Sequence, residues 1–212
     1  MNTQRIRIQD NTIDDSVLQV ALAAIQNGSI ISAPTETFYV LCADPFNLRV
    51  VKEIFLITKR QEWKPLLLLA DSIEQVEGIT SGLPDRFYEI AEYFWPGPLT
   101  LILPAANHVP LKITGGTGTV GVRIPDSKVM RTLIRSFDNP VTGTSANLST
   151  HSVCSTADEV LFQLGGKVDL ILDQGDTGGT APSTIVDLTR EPICVVREGA
   201  IPLEKLSSYL SP

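Results

Sequence analysis

Histidine is almost absent from this 212-residue chain: His108 and His151 are the only two. Both stand in polar loop contexts without partners at ligand spacing. That pattern speaks against a histidine-based nucleophile system and against a structural zinc site, so no protein metal centre is expected. Cysteine is equally sparse. Cys42, Cys154 and Cys194 lie far apart with no paired metal spacing, and an odd, scattered set fits buried thiols in a reducing cytoplasm. No apolar run approaches the ~20 residues needed to span a bilayer. The polar stretch Met1–Ile8 likewise predicts no export segment. Basic residues are outnumbered, with 17 Lys and Arg against 24 Asp and Glu. The resulting net charge of −7 works against a broad nucleic-acid-binding face. A local basic cleft stays compatible with it, because phosphate recognition needs only a few well-placed cations.

What the chain does have is a steady alternation of helical and strand patterns, without repeats, low-complexity tracts or a linker. Its length suits one domain over residues 1–212, with a core over about 12–200. Val17, Val20, Ala21, Ala24 and Ile25 recur at helical spacing over 14–27, with Asp14 as cap and Gly28 as stop. Further helices are expected from Asn47 to Ile57, after Ser72 (with Gln75 as a capping box), over Pro84–Phe94, over Ser127–Phe137, after Thr156 (with Glu159 as a capping box) and over Pro202–Leu210. Apolar, β-branched runs mark strands at Ser29–Ala33, Leu66–Ala70, Leu99–Leu103, Thr119–Ile124, Pro140–Thr144, Val168–Asp173, Ser183–Leu188 and Ile193–Arg197. The strand-rich stretches near 99–124 and 168–197 lack intervening helices. An α/β fold with a twisted sheet of mixed parallel and antiparallel pairing, flanked by helices, is therefore expected.

Six groups of residues carry candidate chemistry. The first strand ends in Ala33-Pro34-Thr35-Glu36-Thr37-Phe38-Tyr39, which presents hydroxyls and a carboxylate at the carboxyl end of a sheet, where open α/β sheets bind ligands. Thr58-Lys59-Arg60 ends the second helix, where cations also suit the helix dipole without any ligand. Thr119 and Arg123 alternate onto one strand face, and an arginine on an otherwise apolar strand needs an anionic partner. That partner is either a ligand or a carboxylate of the chain itself. Gly143-Thr144-Ser145-Ala146-Asn147, Ser183-Thr184 and Arg197-Glu198-Gly199 follow in order. Ser and Asn two apart after a strand also make ordinary turns. Gly115, Gly116 and Gly118 form no phosphate-binding P-loop, because the Gly-Lys-Ser/Thr ending is missing.

Taken together, these segments resemble the YrdC family of threonylcarbamoyl-adenylate synthases. The first matches Pro-Thr-Glu-Thr-x-Tyr, and the later ones match the family's Ser-x-Asn loop, Ser-Thr strand and Arg-x-Gly. The resemblance implies a single-domain YrdC-like fold. It implies synthesis of threonylcarbamoyl-AMP and pyrophosphate from L-threonine, bicarbonate and ATP, with magnesium (Mg2+) assisting. The product would serve tRNA modification, with tRNA-modification proteins and tRNA itself as partners. Double-stranded RNA binding is a family expectation as well. By the same resemblance Thr35, Arg123, Gly143 (through its backbone) and Ser183 hold L-threonine. Thr58, Lys59, Arg60, Thr119, Ser145, Asn147 and Arg197 hold ATP, with Arg60, Lys59, Ser145 and Asn147 as the catalytic set. Three departures stand out. Thr58 occupies the place of the family's lysine, and Lys59, one residue on, is rotated by about 100° on a helix. Val40 and Cys42 replace two glycines. Leu66–Leu69 lacks a histidine that some members carry. These departures keep open the alternative of a YrdC-like paralogue that binds nucleotide or RNA with little synthase activity.

Overall fold

The computed structural model describes residues 2–9 and 11–210; Met1, Asp10 and the last two residues of the expected 1–212 domain lie outside the described residues. Eleven strands and eight helices are found among them. In chain order they are β1 Gln4–Arg7, α1 Asp15–Gln26, β2 Ile31–Pro34, β3 Tyr39–Cys42, α2 Leu48–Thr58, β4 Leu67–Leu69, α3 Ile73–Gly78, α4 Phe87–Phe94 and β5 Leu99–Pro104. There follow α5 Leu111–Thr114, β6 Thr119–Arg123, α6 Lys128–Phe137, β7 Val141–Thr142, β8 Thr144–Ser145, α7 Ala157–Leu164, β9 Leu170–Asp173, β10 Thr184–Asp187, β11 Cys194–Arg197 and α8 Leu203–Leu210.

The mixed pairing is present, but the strands divide between two sheets rather than joining one. Five strands run in the order β1-β9-β2-β3-β8 and six in the order β11-β10-β5-β6-β4-β7. Each sheet mixes parallel pairs, such as β2 with β9 and β10 with β5, and antiparallel pairs, such as β2 with β3 and β5 with β6. The strand expected over Pro140–Thr144 is split: β7 pairs with β4 in one sheet and β8 pairs with β3 in the other. Gly143 is the joint. Its N–H bonds the Leu67 carbonyl at 2.8 Å, and a Cβ there would lie 2.5 Å from Leu69 Cγ. Only glycine fits so close an approach.

Side-chain alternation sets the layers. Ile31, Ala33, Val40, Cys42, Leu170 and Leu172 bury one face of the five-stranded sheet in a cluster with α1 and α6. Leu99, Leu101, Leu103, Val120, Val122 and Val186 bury one face of the six-stranded sheet in a second cluster with Val76 of α3, Ile90 of α4 and Leu206 of α8. Polar caps fix where the helices start. Asp14, Asn47, Ser72, Ser127 and Thr156 each accept from a backbone N–H of the first turn. Thr156 and Glu159 form the full capping box. Ser72 forms half of one, because Gln75 Oε1 accepts from Asp71 N instead. Ser127 Oγ also donates to the Pro34 carbonyl at 3.1 Å, which ties α6 to the end of β2.

Candidate functional site

The face of the six-stranded sheet opposite its apolar cluster is the floor of a cleft of about 330 Å³. Thr119, Gly121 and Arg123 project there from β6, Thr100 and Ile102 from β5, and Ile185 from β10, each two residues from the next. Thr37 and Phe38 of the β2–β3 turn, Val40 of β3 and Ser145 of β8 also line it. Arg60, Ser183 and Arg197 also line the cleft. Its volume falls within the range of small-molecule sites.

Three guanidinium groups therefore face one cavity in an acidic protein. Arg123 is only 3% exposed. Its Nε donates to the Gly97 carbonyl at 3.0 Å and its Nη1 to Thr37 Oγ1 at 3.1 Å. Its Nη2 lies 2.6 Å from Glu36 Oε1, off the hydrogen-bonding angle, so that contact is an ion pair rather than an aligned hydrogen bond. Arg60 Nη2 donates to the Pro65 carbonyl at 2.6 Å, and burial lowers its pKa. Arg197 Nη2 donates to the Ser183 carbonyl at 2.8 Å; burial and then the neighbouring charge of Arg123 lower its pKa. The reference guanidinium value is so high that Arg60 and Arg197 stay charged at neutral pH. Neither Arg60 nor Arg197 forms an ion pair among the described residues; both are fixed by carbonyls and keep their charge for a ligand.

The hydroxyls are wired to these cations. Thr35 Oγ1 donates to the Phe38 carbonyl at 2.7 Å and accepts from the Thr37 and Phe38 N–H groups. A hydroxyl has one proton, so in the 2.9 Å Thr35–Thr37 contact the donor is Thr37. Thr37 in turn accepts from Arg123. Thr177 Oγ1 donates to the Thr37 carbonyl, and Gly179 presses on the same carbonyl so closely that a Cβ would stand 1.7 Å from its oxygen. The β2–β3 turn is thus locked from both sides. Ser183 Oγ shares a hydrogen bond of 2.9 Å with Thr100 Oγ1 and lies 3.4 Å from Arg197 Nη2.

Of the residues expected from sequence, Arg60, Thr119, Arg123, Gly143, Ser145, Ser183 and Arg197 come together on this cleft. Thr35, Thr58, Lys59 and Asn147 are not among the lining residues. Thr35 spends its hydroxyl inside the turn and displays Thr37 instead. Thr58 is buried, donating to the Ile54 carbonyl, while its own carbonyl receives the Ser149 N–H and hydroxyl. Lys59 is exposed in a left-handed conformation that ends α2. Asn147 Nδ2 braces its loop through the Leu148 and His151 carbonyls, and its Oδ1 is buried without a partner. The two replacements for glycine differ in consequence. Both belong to the apolar cluster under α1 and α6, but Val40 also lines the cleft, whereas Cys42 is fully buried 3.9 Å from Met130 Sδ. Thr37, Thr100 and Gly121 were missed as lining residues. Strand alternation with Thr119 and Arg123 was the available signal for Gly121.

Fold and site together define a two-sheet α/β protein with a cationic, hydroxyl-lined cleft for an anionic ligand. Similar proteins give its family. The Sua5/YciO/YrdC family model, described as telomere recombination, matches residues 23–199. A threonylcarbamoyl-AMP synthase of Pyrococcus abyssi is 36% identical over 198 residues, covering 93% of this chain and 58% of the relative. One of Vibrio cholerae is 33% identical over 184 residues, covering 86% of this chain and 97% of the relative. The crystal structure of P. abyssi Sua5 complexed with L-threonine superposes with a TM-score of 0.95 at 35% identity, covering 99% of this chain and 61% of that one. The chain thus spans about three fifths of its archaeal relative. It belongs to the Sua5/YciO/YrdC family.

Proposed function

We propose that this protein is a threonylcarbamoyl-AMP synthase. The observation that carries the reading is the convergence of Arg60, Arg123 and Arg197 with Thr37, Ser145 and Ser183 on one cleft. It is joined by similarity to relatives named for that activity and to a structure holding L-threonine. In the proposed reaction the amine of L-threonine attacks the carbon of bicarbonate, giving a carbamate with loss of water. A carbamate oxygen then attacks the α-phosphorus of ATP, and pyrophosphate leaves. The protein's task is to bring three reactants together and to neutralise phosphate charge.

Arg123, Ser183 and the Gly143 backbone would hold the amino acid, with Thr35 acting through the turn it organises. Arg60 and Arg197 would meet the phosphates, beside Thr119 and Ser145. Asn147 would act by bracing the loop that presents Ser145. Thr58 and Lys59, both off the cleft, contribute no cation in this arrangement. Among the described residues no group of three or more His, Cys, Asp or Glu could hold a metal ion. Magnesium would enter with the nucleotide, coordinated by phosphate oxygens and water, which is its usual manner. The product would feed threonylcarbamoyl modification of tRNA by partner proteins in the cytoplasm. No helix among the described residues is long and apolar enough to cross a membrane. The test is pyrophosphate release, which should require L-threonine, bicarbonate and ATP together. Release that ignores L-threonine, or none at all, would overturn the assignment and favour a nucleotide- or RNA-binding paralogue.

A further inference from the structure

We propose that Glu36 is a specificity-determining positioning residue: as the built-in counter-ion of Arg123, it reserves that arginine for a zwitterionic amino acid and turns polyphosphate away. The proposal rests on the synthase reading above and goes beyond it. Three arginines line the cleft, and a polyphosphate would be attracted to any of them. Only one of the three is neutralised by the chain itself. Glu36 stands at the tip of the β2–β3 turn with its side chain 21% exposed, while both carboxylate oxygens are buried and lack an aligned hydrogen-bond donor. Among the described residues its one ion pair is with Arg123 Nη2, at 2.6 Å. The Thr35 hydroxyl network and Gly179 lock the turn, so the carboxylate is held against the guanidinium rather than free to leave.

The cleft is thereby divided in charge. Arg123 and Glu36 sum to zero. That balance suits an amino acid, whose own charges also cancel, and gives a polyanion no net attraction. Arg60 and Arg197, which form no ion pair with a carboxylate among the described residues, keep their charges for a triphosphate. Specificity here comes from withholding attraction at the wrong subsite. Glu36 does not line the cleft and acts through Arg123.

The test uses the full chain with Glu36→Gln, which keeps the shape and removes the charge. Calorimetry with inorganic tripolyphosphate and with L-threonine reads the two ligands without turnover. In the native protein tripolyphosphate should leave L-threonine affinity unchanged. In Glu36→Gln it should compete with L-threonine, bind at least tenfold tighter than to the native chain, and lose that gain in the Glu36→Gln/Arg123→Gln double variant. Glu36→Asp retains the charge and should keep the two ligands independent, which also covers the case that Glu36→Gln does not fold. The idea is overturned if Glu36→Gln shows no competition, if Glu36→Asp behaves as Gln does, or if the gain survives removal of Arg123. A native chain that binds neither L-threonine nor ATP would sink the synthase reading instead, and the tripolyphosphate comparison would still report on Glu36.

Discussion

Arg197→Ala removes a cation from the rim of the cleft while leaving the core alone. The guanidinium spends its Nε and one Nη2 donor on the Ser183 carbonyl, at 3.2 and 2.8 Å, which aims the rest of its fork at the cavity. A charge-assisted hydrogen bond contributes about 1.5–3 kcal/mol. At ~1.4 kcal/mol per tenfold, losing one phosphate contact should weaken ATP binding about ten- to 150-fold. L-threonine should suffer less, because Ser183 keeps its 2.9 Å bond to Thr100. Arg197→Lys should recover part of the loss, since an ammonium keeps the charge without the fork. Calorimetric titration of each ligand separates these effects, and thermal unfolding checks that the variant is folded. Unchanged ATP affinity in Arg197→Ala would refute the placement of phosphate at this end. So would equal losses for both ligands, which would point to a collapsed Ser183 strand instead.

Gly121→Val should block ligand binding at least tenfold without unfolding the sheet, because a Cβ there meets Thr100 Cγ2 and Leu67 Cδ1 only at 3.6 and 3.8 Å and the added methyls enter the cleft; a thermal midpoint shift above ~2 °C would contradict this. Lys59 sits at φ 53°, so Lys59→Gly should stabilise by about 0.5–1 kcal/mol, or ~1–4 °C, with ATP affinity unchanged. A loss of affinity would show that Lys59 serves the phosphates after all. Tyr39 is fully buried, and desolvation pushes its pKa up to about 12. Its folded value lies above its unfolded one, so the associated stability is complete below pH ~10 and falls as pH rises towards 12. Tyr39→Phe loses the bonds to the Gly175 carbonyl and Gln174 N–H, costing about 1–2 kcal/mol at pH 7; denaturant melts should show that deficit shrinking above pH 10, and a constant deficit would refute the linkage.

The parts of the fold legible in sequence were those with a local cause. Asp14, Asn47, Ser127 and Thr156 each stand before an apolar run of helical period, and each proved to cap a helix. What escaped had a distant cause. Gln4–Arg7 is a short polar stretch that becomes a strand only because β9, far along the chain, offers it a parallel edge. Tyr39–Cys42 read as the tail of a motif, yet it pairs antiparallel with β2 and carries the β8 partner that brings Ser145 to the cleft. The division into two sheets is of the same kind, since strand propensity describes a pleated surface and says nothing of which strands are neighbours.

The site divides similarly. Alternation along β6 already put Thr119 and Arg123 on one face, and the apolar setting of Arg123 already demanded an anion. Which of two threonines faces the cleft was not readable. Thr35 and Thr37 have the same side chain, and only the turn, by consuming the first hydroxyl, shows that the second is displayed. The anion was posed as a choice between a ligand and a carboxylate of the chain. Glu36 satisfies the second alternative without removing the first, because the arginine it neutralises still lines the cavity. An ion pair in such a place does not compete with function. It sets the charge that the ligand at that end must have.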